Sequence, residues 1–353
     1  MIKQVLKGFI AALAAGLLSF SLGGGALADQ VIPYPTALQN GSFEDNAKKD
    51  LTAATNYFID QPDLPGWSTT ASDGKLELWY TGFTPASVPG GISFAAQDGS
   101  WFMEINANLP DTQLYQDLAT NDGALYQWSF WHRGRTGTDT AMMLLGPQGA
   151  LTTDDAQPAA PGYEGTVGGG FTGTTGPTYL TAQRGAWVQH MGYYVAEADV
   201  TRFALYAYDS AYTNKTVGNL VDNAAWTPIA FPTAQTLHVG DAAPNDSTLV
   251  DNLAAGYTID PQNVPDMTAV GTYKITVQVL DAASGVVGSI VSTVQVLAAG
   301  TTGESLPQTG NQHSVLLWVA VLVCGGATAA LVSLALSRNK HGTRRRYAPK
   351  HGG

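Results

Sequence analysis

The stretch ALYQWSFWHR, Ala124 to Arg133, alternates large apolar and polar side chains with a period of two. That is the pattern of a strand with one face in a core. Tyr126, Trp128, Phe130 and His132 fall on one face, Gln127, Ser129, Trp131 and Arg133 on the other, and the first set is the better core. Similar short runs recur, bounded by Gly, Pro, Asn and Asp: KLELWY (Lys75–Tyr80), WFMEINA (Trp101–Ala107), TQLYQDL (Thr112–Leu118), then AMMLLG, WVQHMGYYV, TRFALYAY and GNLVDNAAW. No long stretch between Asp29 and Thr309 carries a helical period, so an all-β sandwich architecture is expected. Charged residues are only 13% of the chain, against about 25% in typical globular domains.

The two ends read differently. Lys3 and Lys7, the apolar run Gly8–Leu22 and the small residues Ala26–Ala28 have the form of a secretory signal peptide over 1–28, leaving Asp29 as the mature start. Ser314–Leu336 is a stretch of 23 residues without charge, long enough to span a hydrocarbon core of about 30 Å. Arg338, Lys340, Arg344, Arg345, Arg346 and Lys350 follow it and assign that side to the cytoplasm. Just before the span stands LPQTG, Leu306, Pro307, Gln308, Thr309 and Gly310. Pro307 disfavours helix at Leu306 and keeps the pentapeptide extended.

Pentapeptide, apolar span and basic tail, in that order, resemble the sorting signal of wall-anchored surface proteins of Gram-positive bacteria. The resemblance implies that a sortase thiol attacks the Thr309 carbonyl, expels Gly310 onward, and passes the acyl group to a peptidoglycan amine. The mature product would be covalently attached to the cell wall, its precursor transiently held in the membrane.

All 28 acidic residues but only nine of the 17 basic ones lie within 29–309, a net charge of −19 for that span. That excludes nucleic acid as a partner, since such surfaces need basic patches. The single cysteine, Cys324, lies in the apolar span, so the mature chain has neither disulfide nor thiol chemistry. Seven of the eight tryptophans lie between Trp67 and Trp226, which sets a boundary near Pro228. The block 229–297 is Val- and Thr-rich and holds two alternating runs joined at DAASG, a hairpin signal. It resembles the bacterial Ig-like modules that serve as spacers in surface proteins, so a small Ig-like sandwich is expected. The linker 298–305 reaches under about 30 Å, which keeps the protein near the wall.

The block 29–228 opens with LQNGSFED and closes with GNLVDNAAW, with PGW, ELW and LYQDL between. This set resembles jelly-roll modules of the galactose-binding-like superfamily, common among carbohydrate-binding modules. The resemblance implies a structural calcium ion tying the first strand to the last, with Glu44 and Asp222 at the matching positions and Asn40 and Asp45 as helpers. The residues equally allow a turn at Asn40–Gly41 and a strand-end cap at Asp222. For a ligand, the face opposite the core offers Gln127, Trp131 and Arg133, joined by Glu104 and Asn106 from WFMEINA. A flat ring stacks on sugar C–H faces while amides and guanidinium take hydroxyls. The alternative is a surface Trp beside an Arg133–Glu104 ion pair. The insertion Pro147–Arg184, with Tyr163, Phe171 and Tyr179, is long for a compact domain and is expected to border the binding face. Its GGGFTG lacks the helix a phosphate loop needs. No HExxH, GxSxG or CxxC occurs. Glu77 and Glu104 are the one candidate carboxylate pair for glycoside hydrolysis, and the sequence does not place them together. The expected function is non-catalytic: an adhesin-like surface protein binding a glycan, or alternatively a host or matrix protein.

Overall fold

The structure is a computed structural model that describes residues 34–158, except 87 and 89, and 179–299. The expected signal peptide, the sorting pentapeptide, the span 314–336 and the basic tail lie outside the described residues. Among the described residues, no helix is long and apolar enough to cross a membrane; the regular elements are β-strands and single-turn 3-10 helices.

Two sheets face each other. The first has the order β1 (Asn56–Asp60), β3 (Lys75–Tyr80), β4 (Trp101–Glu104), β11 (Leu220–Pro232), β6 (Leu125–Arg133) and β9 (Val188–Val195), with β13 (Val250–Asp251) paired to the end of β11. The second has the order β2 (Ser68–Thr69), β5 (Gln113–Ala119), β10 (Val200–Asp209), β7 (Asp139–Pro147) and β8 (Leu180–Ala182). Every pairing in both is antiparallel. Period-two alternation delivers Trp101, Met103, Tyr126, Trp128 and Phe130 from one sheet onto Leu114, Leu118, Met143, Leu145, Phe203 and Leu205 from the other. Burial of this kind is the main stabilising term of the fold, about 1.5–3 kcal/mol per large side chain.

The N-terminal NGSFED segment seals one edge of the sandwich. The Asn40 side chain donates to the Asp45 carbonyl (2.7 Å) and accepts from the Asp45 N–H (3.0 Å), closing the turn on itself. Gly41 then lies against the backbone of β11, with its carbonyl accepting from Ala224 N–H (2.9 Å). A Cβ at Gly41 would collide with the Ala224 carbonyl, so only glycine permits this approach.

The third sheet has the order β12 (Ala234–His238), β16 (Val286–Leu297), β15 (Gly271–Leu280) and β14 (Thr258–Gln262). β15 and β16 are the expected hairpin. Their turn is closed by Asp281, whose Oδ1 accepts from the N–H groups of Ala283 and Gly285. The pairing of β12 with β16 is parallel.

The block 229–297 supplies this sheet and also a second short ladder, in which β13 pairs with the end of β11 (Phe231 opposite Asp251, Pro232 opposite Val250). The apolar face of the sheet packs on Leu249 and Val250 of the same block and on residues of the two-sheet sandwich. Ile275, Val277, Val279, Ile290, Val294 and Val296 share a core with Leu125, Ile229 and Ala230, flanked by Tyr193 and Val195. The boundary expected near Pro228 falls inside β11, which continues unbroken to Pro232.

Leu125 belongs to strand β6 of the two-sheet sandwich yet packs in the C-terminal core, 1% exposed. Leu125→Ala is expected to cost about 2–5 kcal/mol. Urea unfolding followed by tryptophan fluorescence, which sees the jelly roll, and by far-ultraviolet dichroism should shift by the same amount. A shift in neither signal would show that the two blocks are not packed together here.

Candidate functional site

The face that alternation leaves outside the sandwich core is largely covered. Phe83, Val88, Ile92 and Phe94, from the segment after β3, pack on Trp79, Phe102 and Leu220. Arg133 is thereby buried, its guanidinium 4.5 Å from the Phe94 ring centroid and its Nε donating to the Arg184 carbonyl (3.0 Å). At the other end the C-terminal sheet closes over Gln127, whose Nε2 donates to the hydroxyls of Tyr193 (3.0 Å) and Tyr257 (3.1 Å). Asn106 is fully buried, donating to the Lys215 carbonyl (2.9 Å) and accepting from Thr112 Oγ1 (2.8 Å). Trp131 stays half-buried between these covers, across from Gln189 and Asp222. The five residues are therefore not gathered into one open surface.

Glu104 pairs not with Arg133 but with Arg135, whose Nη1 reaches Oε1 and Oε2 at 3.0 and 2.8 Å. Gly218 N–H donates to the same carboxylate. The register sets Glu77 directly opposite Glu104, so the structure does bring together the two carboxyls that the sequence left apart. Asn56 Nδ2 (2.6 Å) and Trp79 Nε1 (3.1 Å) donate to Glu77 Oε1. Burial pushes both carboxyls above the usual range, with Arg135 pulling against it. Arg135 is the cation that offsets the charge of this pair under the aromatic cover. Both carboxyls are buried, 3% and 0% exposed, which leaves no room for a sugar between them.

Glu44 and Asp222 meet at one loop. Glu44 Oε1 accepts from Ser100 N–H (2.8 Å) and Trp101 N–H (2.7 Å). Asp222 Oδ2 accepts from Gln97 N–H (2.8 Å) and Asp98 N–H (3.0 Å), and its Oδ1 from Asn223 N–H (2.7 Å). Gly99 (φ +63°) lets the loop turn between them, where any Cβ would strike Glu44. These residues do not fit a calcium ion. Calcium needs six to eight oxygens, whereas the partners converging here are N–H groups. Among the described residues no three His, Cys, Asp or Glu side chains gather to hold a metal. The carboxylates act as clamps on the chain.

Among the described residues, a cluster of exposed aromatic side chains lies on the opposite sheet. Along β10, alternation sends Arg202, Ala204, Tyr206 and Tyr208 outward. Arg202 grips Asp117 with two hydrogen bonds (2.7 and 2.9 Å) and lies 3.8 Å from the Tyr115 ring centroid. Leu151 and Ala156 cover Met142, Leu144 and Ala204, with Tyr115 and Tyr206 packed against them. Tyr206 donates its hydroxyl to Asp111 Oδ1 (3.2 Å). Tyr208 is 38% and Tyr179 47% exposed, their rings 4.7 Å apart, and Tyr212 is 40% exposed. Exposed aromatic clusters of this kind mark contact surfaces. Period two in TRFALYAYD would have revealed the β10 members. Tyr179 stands at the end of the long insertion that was expected to border a binding face.

His132 and His190 form a second buried pair, ring centroids 5.5 Å apart at one end of the sandwich core, with His132 Nε2 at 3.0 Å from Asn219 Oδ1. Burial lowers His132 to about 4 and holds His190 well below its ordinary range. Burial pushes Asp222 the other way, up to about 8, against the pull of its three N–H donors.

No protein-family model matches the chain, and no curated protein matches it. The fold is similar to carbohydrate-binding module sandwiches. One is the CBM22-1–GH10 portion of Clostridium thermocellum endo-1,4-β-D-xylanase 10B with xylohexaose (12% identity, 57% of this chain and 33% of that chain, TM-score 0.30). This chain thus spans about a third of that structure. A second is a CBM4 structure (12% identity, 54% and 99% covered, TM-score 0.28). A third is TmCBM61 with β-1,4-galactotriose (11% identity, 54% and 97% covered, TM-score 0.28). At these TM-scores the likeness does not bear on what this chain binds.

The buried groups set a pH profile. A histidine kept neutral in the fold leaves the unfolded chain binding the extra proton, so stability is lost as pH falls below about 6.5. A carboxyl with a raised value favours the fold while it keeps its proton, so stability is lost as pH rises through the Asp222 value of about 8. Melting temperature is expected to decline between pH 6.5 and 8, and Asp222→Asn to flatten that decline. An equally steep decline in the variant would assign it to other groups.

Proposed function

We propose that this chain is an exported, wall-anchored glycan-binding protein, with the sugar docking on the Tyr179, Tyr206 and Tyr208 face of the five-stranded sheet. The observation that carries this reading is the tyrosine cluster itself. Its rings offer flat apolar faces to sugar C–H groups, while Asp111 and the phenol hydroxyls offer hydrogen bonds at the rim. The acidic surface suits a neutral ligand better than an anionic polymer. The anchoring half rests on LPQTG, the apolar span and the basic tail, with a sortase as processing partner and peptidoglycan as covalent partner. The C-terminal sheet serves as a short stalk between sugar and wall.

The first half is tested by titrating xylohexaose, β-1,4-galactotriose and a wider glycan array on the purified chain. Tyr208→Ala and Tyr179→Ala should each lower affinity about tenfold, equivalent to about 1.4 kcal/mol, with unchanged melting temperature. Binding to a matrix protein panel but to no glycan would favour a protein ligand on this face. Binding of a verified glycan unchanged by either substitution would move the site elsewhere.

For the second half, Thr309→Ala should abolish recovery of the protein in muramidase-released wall fragments. Recovery at the wild-type level would remove the sortase reading.

A further inference from the structure

The chain enters the C-terminal sheet at one end of β12 and leaves it at the other end of β16. β12 begins directly after β11, the central strand of the seven-stranded jelly-roll sheet. β16 ends at Leu297, and the described chain runs only to Ala299. The two strands are neighbours, paired in parallel from Ala234 opposite Thr293 to His238 opposite Leu297. Two further bonds prolong the ladder, Thr293 N–H to the Thr233 carbonyl and Val239 N–H to the Leu297 carbonyl, both 2.9 Å.

Parallelism decides how tension acts. A pull on the jelly roll draws β12 by its N-terminal end. A pull on the chain past Ala299 draws β16 by its C-terminal end. In a parallel pair those ends lie at opposite extremes of the ladder. The hydrogen bonds run across the strands, so tension slides one strand along the other and strains every bond at once. An antiparallel pair entered at adjacent ends would instead open one bond at a time.

Side-chain contacts fix the entry point. Thr233 N–H donates to Ser292 Oγ (3.2 Å), and Thr233 Oγ1 donates to the Thr248 carbonyl (2.7 Å). Ser292 is fully buried and donates in turn to the Leu249 carbonyl. On its other flank β16 pairs with β15 along nearly its whole length, from Val286 to Val296. Neither strand can leave without disturbing the core shared by Ile290, Val294, Val296 and Leu237.

The geometry points to a force-bearing function for this sheet: β12 and β16 form a shear clamp between the binding face and the tether of the chain beyond Ala299. Its use on a cell rests on the proposed wall anchoring, whereas the clamp operates with any tether at that end. A surface protein holding a glycan on one side and a wall on the other needs such a link, because flow or cell movement loads it along this line.

Single-molecule force spectroscopy on the full chain with Cys324→Ser tests the clamp. One handle is placed at the C-terminus. The second is placed in turn at Thr227→Cys, exposed on β11, and at Ala243→Cys, exposed just past β12. The first geometry loads the ladder in shear. The second pulls both strands from the same end and unzips the identical bonds. Rupture of this sheet is recognised by release of the chain from Thr233 to Ala299 with the Thr227 handle and from Ala243 to Ala299 with the Ala243 handle, at about 3.6 Å per residue. The expected result is a rupture force several-fold higher from Thr227 than from Ala243. Equal forces from the two handles would overturn the clamp. Leu237→Pro, which takes an N–H from the middle of the ladder, should lower the Thr227 force toward the Ala243 value. A folded Leu237→Pro chain with undiminished force would also overturn it. Because both tethers are artificial, a failure of wall anchoring leaves this measurement untouched, and a failed clamp leaves the sortase reaction untouched.

Discussion

β11 is the constraint on which the other parts depend. Its thirteen residues pair with β4, β6 and β13. Val221, Ala224 and Trp226 face the sandwich core, while Ile229 and Ala230 face the C-terminal core. The same strand supplies Asp222, which clamps the Gln97–Asp98 loop, and Ala224, which receives the N-terminal turn. Its register shifts between Asp222 and Ala225 and again between Pro228 and Ala230. The first shift lies where Asn223 (φ +46°) lets the strand bend. A bulge redirects the strand without breaking the sheet, and here it lets one strand serve two cores.

Covering the outer face of the seven-stranded sheet has a cost that the residues beneath it meet locally. Trp79, Phe94 and Phe102 make that cover dry, and charges beneath a dry cover must be neutralised in place. Arg135 lies 4.6 Å from the Trp79 ring centroid and bonds Glu104, while Glu77 and Glu104 face each other. On the opposite sheet the charges are likewise met in pairs, since Arg202 and Asp117 are mostly buried against each other, while Tyr179 and Tyr208 stay exposed.

The strands were legible in the sequence because each carries its own period. KLELWY is β3 residue for residue, and the core face of β6 is the set Tyr126, Trp128, Phe130 and His132. What alternation cannot say is what covers the other face. The segment after β3 reads as a Gly- and Pro-rich loop, so Phe83 and Phe94 gave no sign of lying over Arg133 and Leu220. Likewise Gln127 reads as exposed until Tyr257, 130 residues later, is known to accept from its amide. Glu44 and Asp222 do converge, as their places at the two ends of the block suggest, and the groups they meet there are backbone N–H donors. The tyrosine face is legible in TRFALYAYD, where period two sets Tyr206 and Tyr208 on one side, but tyrosines on a strand carry no mark that separates an exposed face from a covered one.

The shared core of the C-terminal sheet also bears on how such a gene can change. A spacer module with two sheets of its own can be duplicated in tandem, and the stalk lengthens copy by copy. This sheet cannot be duplicated so freely, since a second copy would find no Leu125, Tyr193 or Ile229 to complete its core. Insertion at this junction would likewise sever β11 from β12. Recombination is therefore expected to move the two-sheet sandwich and the C-terminal sheet together, since each carries part of their common core.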